Sequence, residues 1–518
     1  MTLSRWHDLH LDVTRRDFAK IAGAFGAMAG IGRIGAISGQ TPEVGATLEE
    51  LTIDLSGAPE SIVPALAYSP RDWSIVHSIY DSPVGFAPDG SIQPLAAHSF
   101  SAVDDRTYEI VLREGLLFHD GSPVTSAAIS RSVASILESE SDVSGLFSGI
   151  ADVIEEDELT VRLVSAEPAP WLPAQLAVWL LLIPEGHSAD RAATSPIGSG
   201  PYQFESQDQG DSITLVRNPD YTWGSPKGIP IAERVVYRFV PESATRVANL
   251  STGTSDLITE IPSDQLEAVR DAGAIAVEDP IVGSAFIRIA TDAPPFDDPR
   301  VRQALNYALD VRAIAEALVS PEARRLASLF PDQRSLAFNP DLEPYAYDPE
   351  RARTLLVEAG VSEGIEAELE ITTAARVDVA EAIAAQLGEA GFSITIKVSD
   401  YTEFNATWSE PAAPALRMVT WRPLYDPHTL LSLVFAGEGF LSRYSNADVS
   451  GLIDEAAAES DPGERAAIYR ELANVMLDDA PAIYLWNLTS GYGVSEEASR
   501  WRPRGDEYVI PTYIEDAL

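Results

Sequence analysis

Short runs in which apolar and polar residues alternate recur along the whole chain, and helical stretches lie between them. "LTIDL" (51–55), "YEIVL" (108–112), "LTVRLV" (159–164), "SITLVR" (212–217), "VVYRFV" (235–240) and "AFIRIA" (285–290) are followed by "AELEIT", "SITIKV" and "AIYLW". A period of two puts successive side chains on opposite faces of a strand, so each run predicts one half-buried strand. Ala128, Ile129, Val133, Ile136 and Leu137 instead share one face of a helix. So do Val301, Leu305, Ala308 and Leu309, behind a Pro299 suited to a first helical turn. Strands interleaved with helices, without an internal repeat, predict an α/β fold. The 518 residues, 45% of them hydrophobic, are enough for roughly two to four domains.

The chain carries 79 acidic against 36 basic residues, a formal charge of −43, with lysine only at Lys20, Lys227 and Lys397. A surface so acidic repels nucleic-acid phosphates, so no nucleic acid is expected as a partner. The acids are spread along the chain, which reads as adaptation to high salt, where a Debye length of about 3 Å screens their repulsion. There is no cysteine. Disulfides, thiolate metal sites, cysteine nucleophiles and a lipid anchor on cysteine are therefore excluded.

"TRRDFAK" (14–20) precedes the Gly/Ala-rich "IAGAFGAMAGIGRIGAISG". Paired arginines, a nearby aromatic and a weakly apolar stretch resemble a twin-arginine export signal over residues 1–40. Gly23, Gly26, Gly30, Gly32 and Gly35 make a poor core helix, and the stretch is short for a membrane span. Cleavage after the small residues 36–39 and retention as an anchor both remain open. The working protein is expected outside the cytoplasm.

Several motifs look chemical but read as scaffold. In "LLFHDGSPVT", His119 and Asp120 precede a turn at Asp120-Gly121 and a helix starting near Thr125. Asp297 and Asp298 precede a Pro-started helix, where carboxylates cap N–H groups. "GSGPY" lacks the spacing and lysine of a phosphate loop. The punctuation near 195–204, 291–300 and 329–349 suggests boundaries at which the chain crosses between lobes through compact turns.

These segments occur in a recognisable order. "LAAHSF…DDRTYEIVLREGLLFHDGSPVTSAAISRSV", "IGSGPYQF", "RNPDYTWG", "APPFDDPRVRQALNYALD", "YDPERARTLLVEAG", "YSNADVSGLIDEA" and "ERAAIYRELANVMLDDAPAIYLW" resemble the large solute-binding proteins of peptide and nickel ABC importers, solute-binding family 5. The resemblance implies a bilobed periplasmic-binding-protein-like clamp with an extra inserted domain. Its expected divisions are lobe I over 41–72, 195–280 and 487–518, the inserted domain over 73–194, and lobe III over 281–486. It also implies a monomer that captures a small-molecule ligand, peptide-like or a metal chelate, and delivers it to an ABC permease. No cofactor is implied, and a solute sensor is the alternative role. A secreted hydrolase would need an activated nucleophile or metal-bound water. His7, His10, His77, His98, His119, His187 and His428 form no HExxH, and no GxSxG occurs, so no catalytic or metal residues are expected.

The ligand residues are sought in "TWRPLYDPHTLL" (420–431) and "YSPRDWSIVHSIYDSPV" (68–84). Peptide binders of the family resemble one another in a Trp-x-x-Asp pattern, whose aspartate receives the α-ammonium; counted from Trp421, that position is Leu424. Trp421, Tyr425, Asp426, Pro427 and His428 resemble the W-x-x-x-Y-D-P-H run of nickel-binding members, and Tyr68 and Trp73 stand where those members carry a tyrosine and a methionine. The resemblance implies Tyr68, Trp73, Trp421 and Tyr425 as pocket wall. Two nickel-branch features are absent: "LAVWLLLIP" holds no arginine, and no histidine follows in "SLVFAGEGFLSRYSN". Arg422 is the candidate for the missing positive charge. The composition favours stacking on aromatic faces with few fixed charges, as for a bulky, weakly charged solute.

Overall fold

The computed structural model describes residues 47–513 apart from 140, 362–363 and 374. The export signal expected over 1–40 lies outside the described residues. Thr47 onward forms a single compact unit. Its backbone is a ten-stranded mixed sheet in the order Phe392–Ser399, Ile365–Thr372, Leu416–Trp421, Ile275–Ile289, Ala482–Val494, Leu257–Ile258, Leu48–Leu55, Ala232–Phe239, Ser212–Arg217, Tyr202–Asp208. A four-stranded antiparallel sheet, Ala97–Ala102, Thr107–Leu112, Thr160–Ser165 and Ile150–Glu155, stands apart within the stretch expected as an insertion.

The two central strands, of 15 and 13 residues, are the longest in the sheet. At about 3.3 Å per residue the longer spans roughly 50 Å and serves both halves. They pair antiparallel from Ile275 opposite Val494 to Arg288 opposite Ala482, with register shifts around Pro280 and Ser284. Gly283 sits in that irregular stretch, where a Cβ would come within 2.9 Å of the Arg422 Cβ and the Trp421 carbonyl oxygen. The chain thus passes from one half to the other inside paired strands, not through the compact turns expected from the sequence. The ladder between them breaks over 281–283, where Val282 bonds instead to Gly505 and Leu424, and resumes at Ser284. The boundaries expected after 280 and 486 fall inside these strands, and that after 72 inside the helix Pro70–Ile79.

Three large cores follow from this layout. One joins the Leu51 and Ile53 face of the large sheet to Ile110, Leu163 and Ile129 around the small sheet. The other half of the large sheet is covered on both faces. Ile287 and Ile289 pack with Val301, Leu305 and Ile383, whereas Phe286 packs with Leu424, Leu431 and Tyr484. The helix Ser126–Glu138 buries Ala128, Ile129, Val133 and Ile136, but Leu137 is exposed, one step beyond the apolar stripe. Asp298 caps the helix Pro299–Tyr307 by accepting from the Arg300 N–H at 2.9 Å. The His119-Asp120 motif is a turn: Asp120 accepts from the Ser122 N–H at 3.0 Å, and Gly121 has a φ of +82°.

Candidate functional site

The strand Leu416–Trp421 ends where the stretch 420–431 begins, with Trp421 opposite Ser284. Leu424 turns inward: its N–H donates to the Val282 carbonyl at 2.8 Å and its side chain is fully buried beside Leu431 and Val434. Asp426 cannot replace a ligand-facing aspartate at that position. Its oxygens take the Arg465 guanidinium at 2.5 and 3.1 Å and the His428 N–H at 2.9 Å. Arg465 also donates to the Ala456 carbonyl and the Tyr469 hydroxyl. Asp426 is therefore a strut between two segments of the chain.

His428 lies flat on Trp171, and burial pushes its pKa down to about 4, so the ring is neutral at pH 7. Tyr425 stacks on Phe86, with 4.1 Å between centroids. Gly90, from the hairpin that carries Phe86, has no room for a Cβ against the Arg334 carbonyl at 2.3 Å. The segment 422–428 is thus pressed against residues 86–90 and Trp171. Trp421 itself is half-buried and packs at the margin of the Phe286 core.

The other expected wall forms around the N-terminus of the helix Pro70–Ile79. Asp72 accepts N–H groups from Glu60 at 2.7 Å, Tyr68 at 3.0 Å and Ser69 at 3.1 Å, and so fixes the approach to the helix. Ser69 completes a capping box with Asp72. Tyr68, 37% exposed, stacks over Trp179 at 6.2 Å, whereas Trp73 is 3% exposed and lies between Trp179 and Tyr508. Tyr508 also stacks on His77 at 4.9 Å. Tyr68 is thus the exposed ring of this wall, with Trp179, 8% exposed, and Trp73 packed behind it.

Residues 504–508 connect the two walls, and sequence reasoning missed them. Tyr508 meets Trp73, a Cβ at Gly505 would lie 3.0 Å from the Tyr425 hydroxyl, and Glu507 forms an ion pair with Arg422 at 2.7 Å. Burial raises the Glu507 pKa while Arg422 opposes that rise. Glu507 also lines a cavity of about 10 Å³ with Arg71, Ser74, Glu260, Ser490 and Tyr492. That is room for about one water molecule, so a solute enters only if the walls separate. Two carboxylates and a guanidinium line the cavity, and one of the carboxylates, Glu507, is the partner of Arg422. Trp179 was also missed, in a segment searched only for arginine; its signal was an aromatic residue amid an apolar run. No local pattern marks Glu507, whose partner lies 85 residues earlier. Among the described residues no group of three or more His, Asp or Glu is arranged to hold a metal.

A mixed sheet crossed by two long strands, with aromatic and charged walls meeting at the crossing, defines a solute-binding clamp. The family model for bacterial extracellular solute-binding proteins, family 5, matches residues 91–441. The chain belongs to that family, whose members bind a solute between lobes and deliver it to an ABC permease. It is 26% identical over 436 residues to the glutathione-binding protein GsiB of Salmonella paratyphi A, covering 80% of this chain and 84% of that protein. The fold is similar to that of DppA from Helicobacter pylori in complex with the peptide STSA (TM-score 0.77, 22% identity, 90% of this chain and 98% of that one). It is also similar to NikA from Staphylococcus aureus in complex with Ni(L-His)2 (TM-score 0.73, 20% identity, 89% and 98%).

Proposed function

We propose that this clamp captures a peptide-sized zwitterionic solute and hands it to its permease. The observation that carries this reading is the Arg422–Glu507 pair at 2.7 Å: Glu507 lines a cavity with Arg71 and Glu260, and the next residue, Tyr508, packs on Trp73 behind Tyr68. Charges of both signs, already paired with each other, can exchange partners with the ammonium and carboxylate of a zwitterion without stranding a buried charge. The aromatic faces then take its apolar part. A glutathione-like ligand accords with the name of the GsiB relative, and Leu424 and Asp426 argue against ammonium capture from the segment 420–431. Tyr68, Trp421, Arg422 and Tyr425 are the proposed contacts, with Trp73 behind them. The proposed domains are lobe I (41–72, 195–280, 487–518), which shares a core with the insertion (73–194), and lobe III (281–486), with the solute taken between the two lobes. In this reading the protein is an exported monomer, carries out no catalysis, and reaches the cell surface through the twin-arginine signal.

Titration calorimetry and native mass spectrometry in strong salt, with glutathione, a short-peptide library and nickel-histidine, test this. Glutathione or a peptide should bind, and Arg422→Ala with Glu507→Gln should weaken binding at least tenfold. Binding of nickel-histidine alone would sink the zwitterionic reading in favour of a chelate. Turnover of an ester or glycoside would sink the binding-protein role.

A further inference from the structure

Arg288 and Arg417 face each other on adjacent antiparallel strands, and both are fully buried. They continue the row of Ser284 opposite Trp421 and Phe286 opposite Val419, on the face covered by Phe404 and Trp408. Four residues separate Arg288 from Ser284, roughly 13 Å of strand, so the pair is distinct from the solute cleft.

The acids nearby already have partners. Glu370 receives Arg417 Nε at 2.6 Å, the Ser399 hydroxyl at 2.7 Å and Lys397 Nζ at 3.0 Å. Asp292 is clamped by Arg443 at 2.9 and 2.8 Å. Arg417 also donates through Nη2 to the Thr407 hydroxyl, but its Nη1 has no hydrogen-bond partner. Nor has any of the three nitrogens of Arg288. The Trp408 ring stands 5.8 Å from one guanidinium carbon and 5.6 Å from the other, and Phe404 lies 4.3 Å from that of Arg417. Lys397 is held by Glu403 as well, at 3.2 Å, so Arg288, Arg417 and Lys397 face two carboxylates and one buried positive charge is left over.

Burial, reinforced by Arg417 and Arg443, lowers the Arg288 pKa only to about 9, so the guanidinium stays charged at neutral pH. An unpaired buried charge is strongly unfavourable, and arginine does not escape the cost by losing its proton. We propose that Arg288 and Arg417 Nη1 together hold a monovalent, halide-sized anion beneath Trp408. One excess charge calls for a monovalent ion, and the aromatic cover favours a small, weakly hydrated anion over a large oxyanion.

The test is bromide. Crystals of the full protein grown in sodium bromide should show an anomalous peak touching both guanidinium groups. The melting temperature should be higher in sodium chloride than in sodium isethionate at equal ionic strength, and above the dissociation constant each tenfold rise in chloride should raise the folding constant about tenfold. Arg288→Met should abolish the chloride–isethionate difference while leaving solute titrations unchanged. No peak at Arg288, or equal melting in both salts, overturns the proposal. If Arg288→Met does not fold, the bromide map of the wild-type protein decides alone. Loss of solute binding with the bromide peak retained would count against the zwitterion reading and not against the anion site.

Discussion

The imidazole of His428 lies 4.6 Å from the indole of Trp171 and 5° from parallel to it, joining two segments 257 residues apart. Each ring is partly exposed, so the stack sits at the rim of the seam that Tyr425 and Phe86 close further in. It can be broken without opening a cavity in a core.

Trp171→Ala should therefore loosen closure without unfolding the protein. A stacked aromatic pair contributes about 1 kcal/mol, so apparent solute affinity should fall about fivefold, mostly through faster release. Stopped-flow fluorescence measures this; an unchanged release rate would show that the stack does not hold the seam.

The same stack should be sensitive to acid. The His428 pKa is lowered from its ordinary value of 6.5 to about 4, mainly by burial, with Asp426 opposing and Arg465 adding to the shift. A depressed pKa means the neutral ring is favoured in the folded protein. Its contribution is fully present above pH 6.5 and is lost as pH falls towards 4, amounting to about 2 kcal/mol for a partly exposed ring. His119 and His187 are shifted to about 4 as well, so wild-type melting curves sum several groups. His428→Phe keeps an aromatic ring and removes one titration; the melting temperature should fall less between pH 7 and 4.5 in this variant than in wild type.

Asp426→Ala should cost stability and not a ligand. It leaves Arg465, with a side chain 4% exposed, without its carboxylate, a loss of about 3 kcal/mol. Denaturant titration should show the loss, and Arg465→Met should recover part of it in a double-mutant cycle. A large fall in metal affinity with unchanged stability would reverse this assignment.

The charge of −43 predicts general salt dependence as well. The melting temperature should rise with any sodium salt up to molar concentration as screening shortens the Debye length to about 3 Å. Native circular dichroism retained after dialysis into salt-free buffer would refute adaptation to high salt. The screening effect is common to chloride and isethionate, so it separates from the anion bound at Arg288.

The strands at 108–112 and 212–217 were legible because one face of each meets a core and the other is more open, so alternation survives in the residue types. The strand Leu416–Trp421 was not recognised, although it carries Trp421. "LRMVTW" alternates poorly because the sheet is covered on both faces there, and Arg417 is buried where a sequence reading expects an apolar residue. The two long strands were seen only as the short runs "AFIRIA" and "AIYLW", since Pro280 and Gly283 interrupt the first and Gly491 and Gly493 thin the second.

The sequence by itself determined the mixed α/β class, the family, the turn character of Asp120-Gly121 and the capping role of Asp298. Each is encoded in local spacing, which survives whatever the chain later packs against. Only the tertiary structure decided that Leu424 is core, that Asp426 is bound to Arg465, and that Glu507 faces Arg422. Such pairings depend on which distant segment excludes water from a side chain, and no spacing along the chain records that.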